Sequence, residues 1–396
     1  CWAFNADTTN ATVRDRVKKM DFSLTEEQQL LKDSVDRFIR ENYEFEDRRK
    51  LAGTGEGYSE VNWKQMAELG WLAVALPEEY GGIGGGATET MVIMEGFGRG
   101  LVLEPFFATV VLGANLVLQA GTEAQKEELL PAVAEGSLKL AFAFAERQAR
   151  FDLHDVETKA QKSSNGYTIN GAKGVVFGAA SADKVIVAAR TSGETRDTNG
   201  ITLFLIASDA DGVSRRDYTT NDALRASEIA FENVQVGADA VLGKVDGGHE
   251  IVERVAEFAV AALCAEAVGC MDVLKEETNE YIKTREQFGQ PIGKFQVLQH
   301  RMVDILINCE EARSMAYVAT AMMDSDDAEE RARSVAAAKA QIGKSARFVG
   351  QNSVQMHGGM GMTDELKIGH YFKRLTMIDL TFGDQDHHTK RFAAMT

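Results

Sequence analysis

From Leu24 to about Leu140 the apolar residues recur every three or four positions, the spacing that gives a helix one continuous apolar stripe. Ser23 and Thr25 offer capping oxygens ahead of the acidic first turn Glu26-Glu27, so the first helix is expected to start there. The glycine-rich stretch from Tyr80 to Gly86 interrupts the pattern; it lacks the Lys-Ser/Thr of a nucleoside triphosphate loop and reads as a turn between helices. Between Ala141 and about Gly237 the period changes. Short β-branched runs such as Lys184–Ala189 and Ile201–Ile206 are separated by Gly, Asn, Ser and Asp, which predicts a β domain. The dipeptides Asn170-Gly171 and Asp211-Gly212 are expected at hairpin turns. Helical spacing then returns over Glu250–Thr284, Phe295–Met323, Ala328–Gln355 and a last segment after Asp364, a pattern of four helices that suggests a bundle.

The pattern divides the chain into 20–140 (helical), 141–237 (β) and 238–396 (four-helix bundle), a mainly α protein with a central β domain. Only four prolines occur in 396 residues, which leaves long helices unbroken. A net charge of -17 opposes non-specific nucleic-acid binding, which needs a basic surface. No apolar run reaches the ~20 residues that cross a bilayer. Cys1, Cys264, Cys270 and Cys309 form no metal-binding spacing and read as buried thiols of a reducing compartment, so a cytoplasmic protein without a metal is expected. Residues 1–19 are polar and precede a Met-Asp-Phe that looks like a natural start, so they are set aside as an extension.

Several motifs stand out against this background. Ala145-Glu146-Arg147 with Asp152 opens the β domain, and Asn170-Gly171-Ala172-Lys173 and Arg225-Ala226-Ser227 follow. In the bundle, Arg285-Glu286-Gln287-Phe288-Gly289-Gln290-Pro291-Ile292 runs into Phe295-Gln296. About seventy residues later comes Gln355-Met356-His357-Gly358-Gly359-Met360-Gly361. A planar, permanently charged arginine can hold a pyrophosphate, and glycines permit close backbone approach to a nucleotide. Taken singly, Arg285 could be a surface ion pair with Glu286, and Gly358-Gly359 a helix stop. In this order, from Met20 to about Ala394, the motifs resemble the acyl-CoA dehydrogenases. The resemblance implies a helical domain, a β-barrel domain and a four-helix bundle, FAD as cofactor and an acyl-CoA substrate. It also implies electron-transfer flavoprotein as acceptor. Arg285, Gln287, Phe288, Ile292, Phe295, Gln296, Gln355, Gly358 and Gly359 would form a clamp that reaches across a dimer to FAD.

Desaturation of a thioester requires a carboxylate to take the proton next to the carbonyl. Where the family carries a Glu in a C-terminal Tyr-Glu-Gly-Thr turn, this chain has Phe382-Gly383-Asp384-Gln385. The family's second base position, on the first bundle helix, falls on Ala259, with Val260 where an Arg usually stands. Asp384 remains a candidate base; equally it could cap a turn or pair with His387 or His388. The Trp-Ile-Thr that covers the flavin corresponds to Val175-Val176-Phe177, and the Gly-Ser-Asp loop to Arg150-Phe151-Asp152. The clamp matches the family while the chain's own flavin face departs from it. This implies the small subunit of a heteromeric acyl-CoA dehydrogenase, paired with a second dehydrogenase-like subunit and most like those of pimeloyl-CoA dehydrogenases; related pairs act on bulky acids such as steroid side chains. The alternatives are a homotetramer using Asp384 as base, an oxidase, and a non-catalytic scaffold. His387-His388 lacks a third ligand and reads as a solvated polar end, and the acidic run Asp324–Glu330 as a loop and helix start.

Overall fold

The structure, a computed structural model, describes residues 23–395; the extension 1–19 with Cys1 lies outside them. The first helical part comprises α1 (Glu26–Asn42), α2 (Phe45–Ala52), α3 (Glu60–Glu68), α4 (Ala87–Gly100), a π-helical turn (Phe107–Ala114) leading into α5 (Asn115–Ala120), and α6 (Glu123–Ala134). Thr25 caps α1 as expected, accepting from the Gln28 N–H while the Gln28 side chain accepts from the Thr25 N–H. The Gly-rich stretch is a turn that delivers the chain to α4.

The β domain holds β1 (Leu140–Ala143), β2 (Lys159–Ser163), β3 (Gly166–Phe177), β4 (Lys184–Arg190), β5 (Ile201–Ala207), β6 (Val213–Thr219), β7 (Arg225–Gly237) and β8 (Val241–Leu242). The ladder runs β6-β7-β3-β2-β4-β5-β8, with β1 parallel to β4. Two turn assignments change. Asn170-Gly171 lies inside β3 at a bulge, where the Asn170 side chain accepts from the Asn233 N–H at 2.8 Å. The hairpin turn is Ser164-Asn165, between the paired Ser163 and Gly166. Asp211-Gly212 is a turn but makes no hairpin, because β5 and β6 lie apart in the sheet.

The bundle is built from α7 (Gly248–Thr284), α8 (Gln296–Ala321), α9 (Ala328–His357), α10 (Lys367–Leu380) and α11 (Gln385–Ala394). The last predicted helix is thus two, broken at Thr381–Asp384. Asp327 caps α9, so the acidic run is a loop and helix start. Helix α4 crosses α7 at contact distance: a Cβ on Gly98 would lie 2.0 Å from the Glu266 carbonyl oxygen, and one on Gly269 1.9 Å from that of Glu95. Only glycine permits this approach. A buried charge cluster binds the three parts together. Arg374 of α10 grips Glu266 of α7 through two bonds of 2.6 Å and Asp222, before β7, at 2.7 Å, while Arg48 of α2 donates to the Asp222 carbonyl at 3.0 Å.

Candidate functional site

The segment after α7 folds back as a small hairpin, β9 (Glu286–Gln287) with β10 (Gln290–Pro291). Its two tip residues, Phe288 and Gly289, have φ of 54° and 78°, so the turn has positive φ at both central positions, as two-residue hairpins favour. This throws the Phe288 ring outward, 90% exposed, against the edge of Phe295 at 6.1 Å. Arg285 is exposed and has no carboxylate partner among the described residues, which removes the ion-pair reading with Glu286. The second half of the clamp ends α9. His357 stacks on Tyr281, one turn before Arg285, with ring centroids 4.3 Å apart, and its Nδ1 lies 2.8 Å from the Ser353 carbonyl. That stack brings Gln355, Gly358 and Gly359, all exposed, to the same end of the bundle as Arg285. Gln287 and Gln296 are exposed there too, and Ile292 is half-buried beneath, its N–H on the Arg285 carbonyl at 2.8 Å.

The turn between α10 and α11 is held from below by Lys339. The wholly buried ammonium sits among the carbonyl oxygens of Ile378, Asp379, Thr381 and Gly383 at 2.7, 2.8, 3.0 and 2.8 Å, its three N–H groups shared among four acceptors. Burial pushes its pKa down to about 8, while four carbonyl dipoles at a helix C-terminus favour the cation. Gly383 has φ of 107°, and a Cβ there would meet His387 at 2.5 Å and His388 at 2.9 Å. A side chain at 383 would therefore carry a strained backbone and displace both histidine rings. Asp384 caps α11, its Oδ1 accepting from the His387 N–H at 2.8 Å. His388 is buried, not solvated; its Nε2 lies 2.9 Å from the Phe382 carbonyl, and burial with the nearby Lys339 charge pushes it down to about 3. Ala259, the other base position, is wholly buried in the core. No group of His, Cys, Asp and Glu fit to hold a metal occurs among the described residues.

Between the helical part, the sheet and this turn lies a cavity of only about 50 Å³, lined by Leu103, Phe107, Phe177, Leu263 and Thr381. Its neighbourhood is filled by rings: Phe382 stacks on Phe144 at 4.7 Å and meets the edge of Phe107 at 6.4 Å, and Phe107 meets Phe177 at 6.3 Å. Glu104 also lines the cavity; it accepts from the Tyr43 hydroxyl and the Ser59 N–H, and burial raises its carboxyl to about 7. On the sheet, Glu146 and Lys173 form a buried pair at 2.6 Å. Burial alone would raise the Glu146 carboxyl, but Lys173 and further donors override it and hold it at about 2.

Residues 25–137, 141–234 and 246–395 match, in turn, the N-terminal, middle and C-terminal domains of acyl-CoA dehydrogenases. The chain belongs to the acyl-CoA dehydrogenase family. An acryloyl-CoA reductase (NADH) of Anaerotignum propionicum is 27% identical over 381 residues, 95% of each chain. Butyryl-CoA dehydrogenase from Megasphaera elsdenii superposes with a TM-score of 0.84 at 27% identity, over 95% of this chain and 99% of that one. A chain of the ChsE4-ChsE5 complex from Mycobacterium tuberculosis shares the fold, with a TM-score of 0.86 at 24% identity over 95% and 98% of the two chains.

The protein is accordingly an FAD-dependent oxidoreductase acting on acyl-CoA. When bound, FAD supplies the hydride acceptor. The unpaired Arg285 fork fits a diphosphate, and the exposed glycines that follow the C-terminus of α9 permit close backbone approach to a nucleotide. Ala145, Val175 and Phe177, which the resemblance sets at flavin-facing positions, carry neither indole nor hydroxyl. Two residues escaped sequence reasoning although each left a signal. Glu104 is a lone acid in the apolar run Leu101–Phe107, and Lys339 a lone cation in the Ala-rich face of α9.

Proposed function

We propose that this chain is the small subunit of a heteromeric acyl-CoA dehydrogenase that desaturates a thioester between its α and β carbons. It lends Arg285, Gln287, Phe288, Ile292, Phe295, Gln296, Gln355, Gly358 and Gly359 to FAD whose ring a second, related subunit holds. The observation that carries the reading is the turn at Gly383, where a side chain would strike His387 and His388 while Lys339 pins the backbone from below. With Ala259 buried as well, both family base positions are closed in this chain, yet the clamp stands open to a partner. The ChsE4-ChsE5 complex offers a precedent for pairing two chains, one of them with this fold. The three buried thiols Cys264, Cys270 and Cys309 suit a cytoplasmic setting. Electron-transfer flavoprotein is the proposed acceptor, and pimeloyl-CoA the first thioester to assay.

Expression alone and beside a second dehydrogenase subunit tests this. The complex should carry flavin and turn over, and the single chain should be colourless; a stoichiometric flavin spectrum with full activity from the single chain would refute it. The homotetramer reading makes Asp384 the base. Asn caps helices about as well as Asp, so Asp384→Asn should keep the fold of α11 and, in the complex, leave acyl-CoA oxidation within about twofold of wild type. Abolished turnover with FAD retained would instead establish Asp384 as the base.

A further inference from the structure

The turns that follow β1 carry two arginines, Arg147 and Arg150. In the structure they join Arg215 and Arg216 of β6 around a groove of about 820 Å³ on the sheet. Four arginines converge here in a chain of net charge -17. Two are already committed: Arg215 pairs with Asp217 and Arg216 with Glu228, each at 2.7 Å. Lys173 beneath the floor is neutralised by Glu146. Arg147 and Arg150 are exposed and have no carboxylate partner among the described residues. Arg150 has φ of 50°, a left-handed backbone that a non-glycine residue adopts at a cost. Ala145 and Val175 give the groove an apolar floor, and at Gly174 a Cβ would meet nothing within 4 Å, so a flat group can lie close to the sheet.

We propose that this groove binds an adenine nucleotide, with the planar base on the Ala145–Val175 floor and the diphosphate between Arg147 and Arg150. Guanidinium forks hold phosphate oxygens in pairs, and the groove has the size of a small-molecule site. The inference rests on the reading that this chain holds no flavin ring of its own, since such a ring would occupy the same face. The shared chemistry is an adenosine diphosphate, which could come from a free nucleotide or from the corresponding part of coenzyme A.

Titration calorimetry on the full chain tests it, with ADP, inorganic tripolyphosphate, adenosine, coenzyme A and FAD as separate probes. ADP should bind, adenosine about tenfold or more weaker, and added salt should weaken ADP. The Arg147→Ala/Arg150→Ala double variant should lose about tenfold or more in ADP affinity, as expected for removing charged hydrogen bonds. The same titrations in an Arg285→Ala background remove the clamp's share, so that ADP binding lost on adding Arg147→Ala/Arg150→Ala belongs to the groove. Coenzyme A binding more tightly than ADP, with the same arginine dependence, supports the groove and identifies the source, whereas stoichiometric FAD binding there refutes the half-site reading on which the groove rests. Absence of ADP binding overturns the proposal, as does binding that survives the double variant or is lost only in Arg285→Ala. Displacement of a bound probe by poly-glutamate with no response to ADP also overturns it, in favour of an acidic protein segment. A chain that purifies yellow refutes the half-site reading, whereas a colourless chain that ignores ADP refutes the groove alone.

Discussion

Glu104 sits almost wholly out of water, and its two acceptor contacts, the Tyr43 hydroxyl and the Ser59 N–H, do not offset the burial of a charge. Burial lifts its carboxyl from the ordinary 4.5 to about 7. Between these values the folded protein keeps a proton that the unfolded chain has released. The stabilisation is therefore complete below pH ~4.5 and is lost as pH rises through ~7, by about 3 kcal/mol. Glu104→Gln removes the ionisation, so urea unfolding of wild type and variant should diverge in favour of the variant from pH 4.5 to 8. Parallel pH curves would show that the carboxyl titrates normally. Glu146 shows the opposite balance, because Lys173 at 2.6 Å supplies a full opposite charge where Glu104 has only dipoles. Both members of that pair were visible in the sequence as pieces of family motifs, but their contact was not. Twenty-seven positions separate them, and only the pairing of β3 with its neighbours closes that distance.

At the scale of elements, the helices and most strands were legible because each writes its own period into the chain. The turns were read less well. Asn170-Gly171 has the composition of a hairpin turn, yet a bulge uses the same residues, with Gly171 at a φ of 149° that favours glycine and the Asn170 side chain tied to Asn233 of β7. The break between α10 and α11 left a sequence signal in Gly383-Asp384, but what holds it lies on another helix, in Lys339. The crossing of α4 and α7 is similar: Gly98 and Gly269 are unremarked in sequence, but each lies against the other helix's backbone. Gly269→Ala should force the helices apart and cost about 1–3 kcal/mol or more, as overpacking does. Chemical denaturation of the variant measures this. Stability equal to wild type would mean that the helices can slide without loss.

For the whole molecule, sequence reading reached the order of the three parts but not what joins them. The cluster of Arg374, Glu266, Asp222 and Arg48 draws residues from every part, and none of its members is unusual where it stands in the chain. The proposed clamp residues stand out in the sequence for the opposite reason, since they fall in a short, exposed segment that packs on little else. That exposure makes a prediction about assembly. Arg285 and Phe288 contribute little to the fold of this chain, because Arg285 has no carboxylate partner among the described residues and Phe288 is 90% exposed. Arg285→Ala should thus leave the thermal unfolding of the isolated chain within about a degree of wild type. In the proposed two-subunit complex the same change would remove charged hydrogen bonds to the diphosphate of FAD. FAD affinity, measured by flavin release on dilution, should fall by about tenfold to a hundredfold. A destabilised single chain would mean that Arg285 serves the fold. An unchanged flavin affinity in an intact complex would mean that the partner's FAD is held without this clamp.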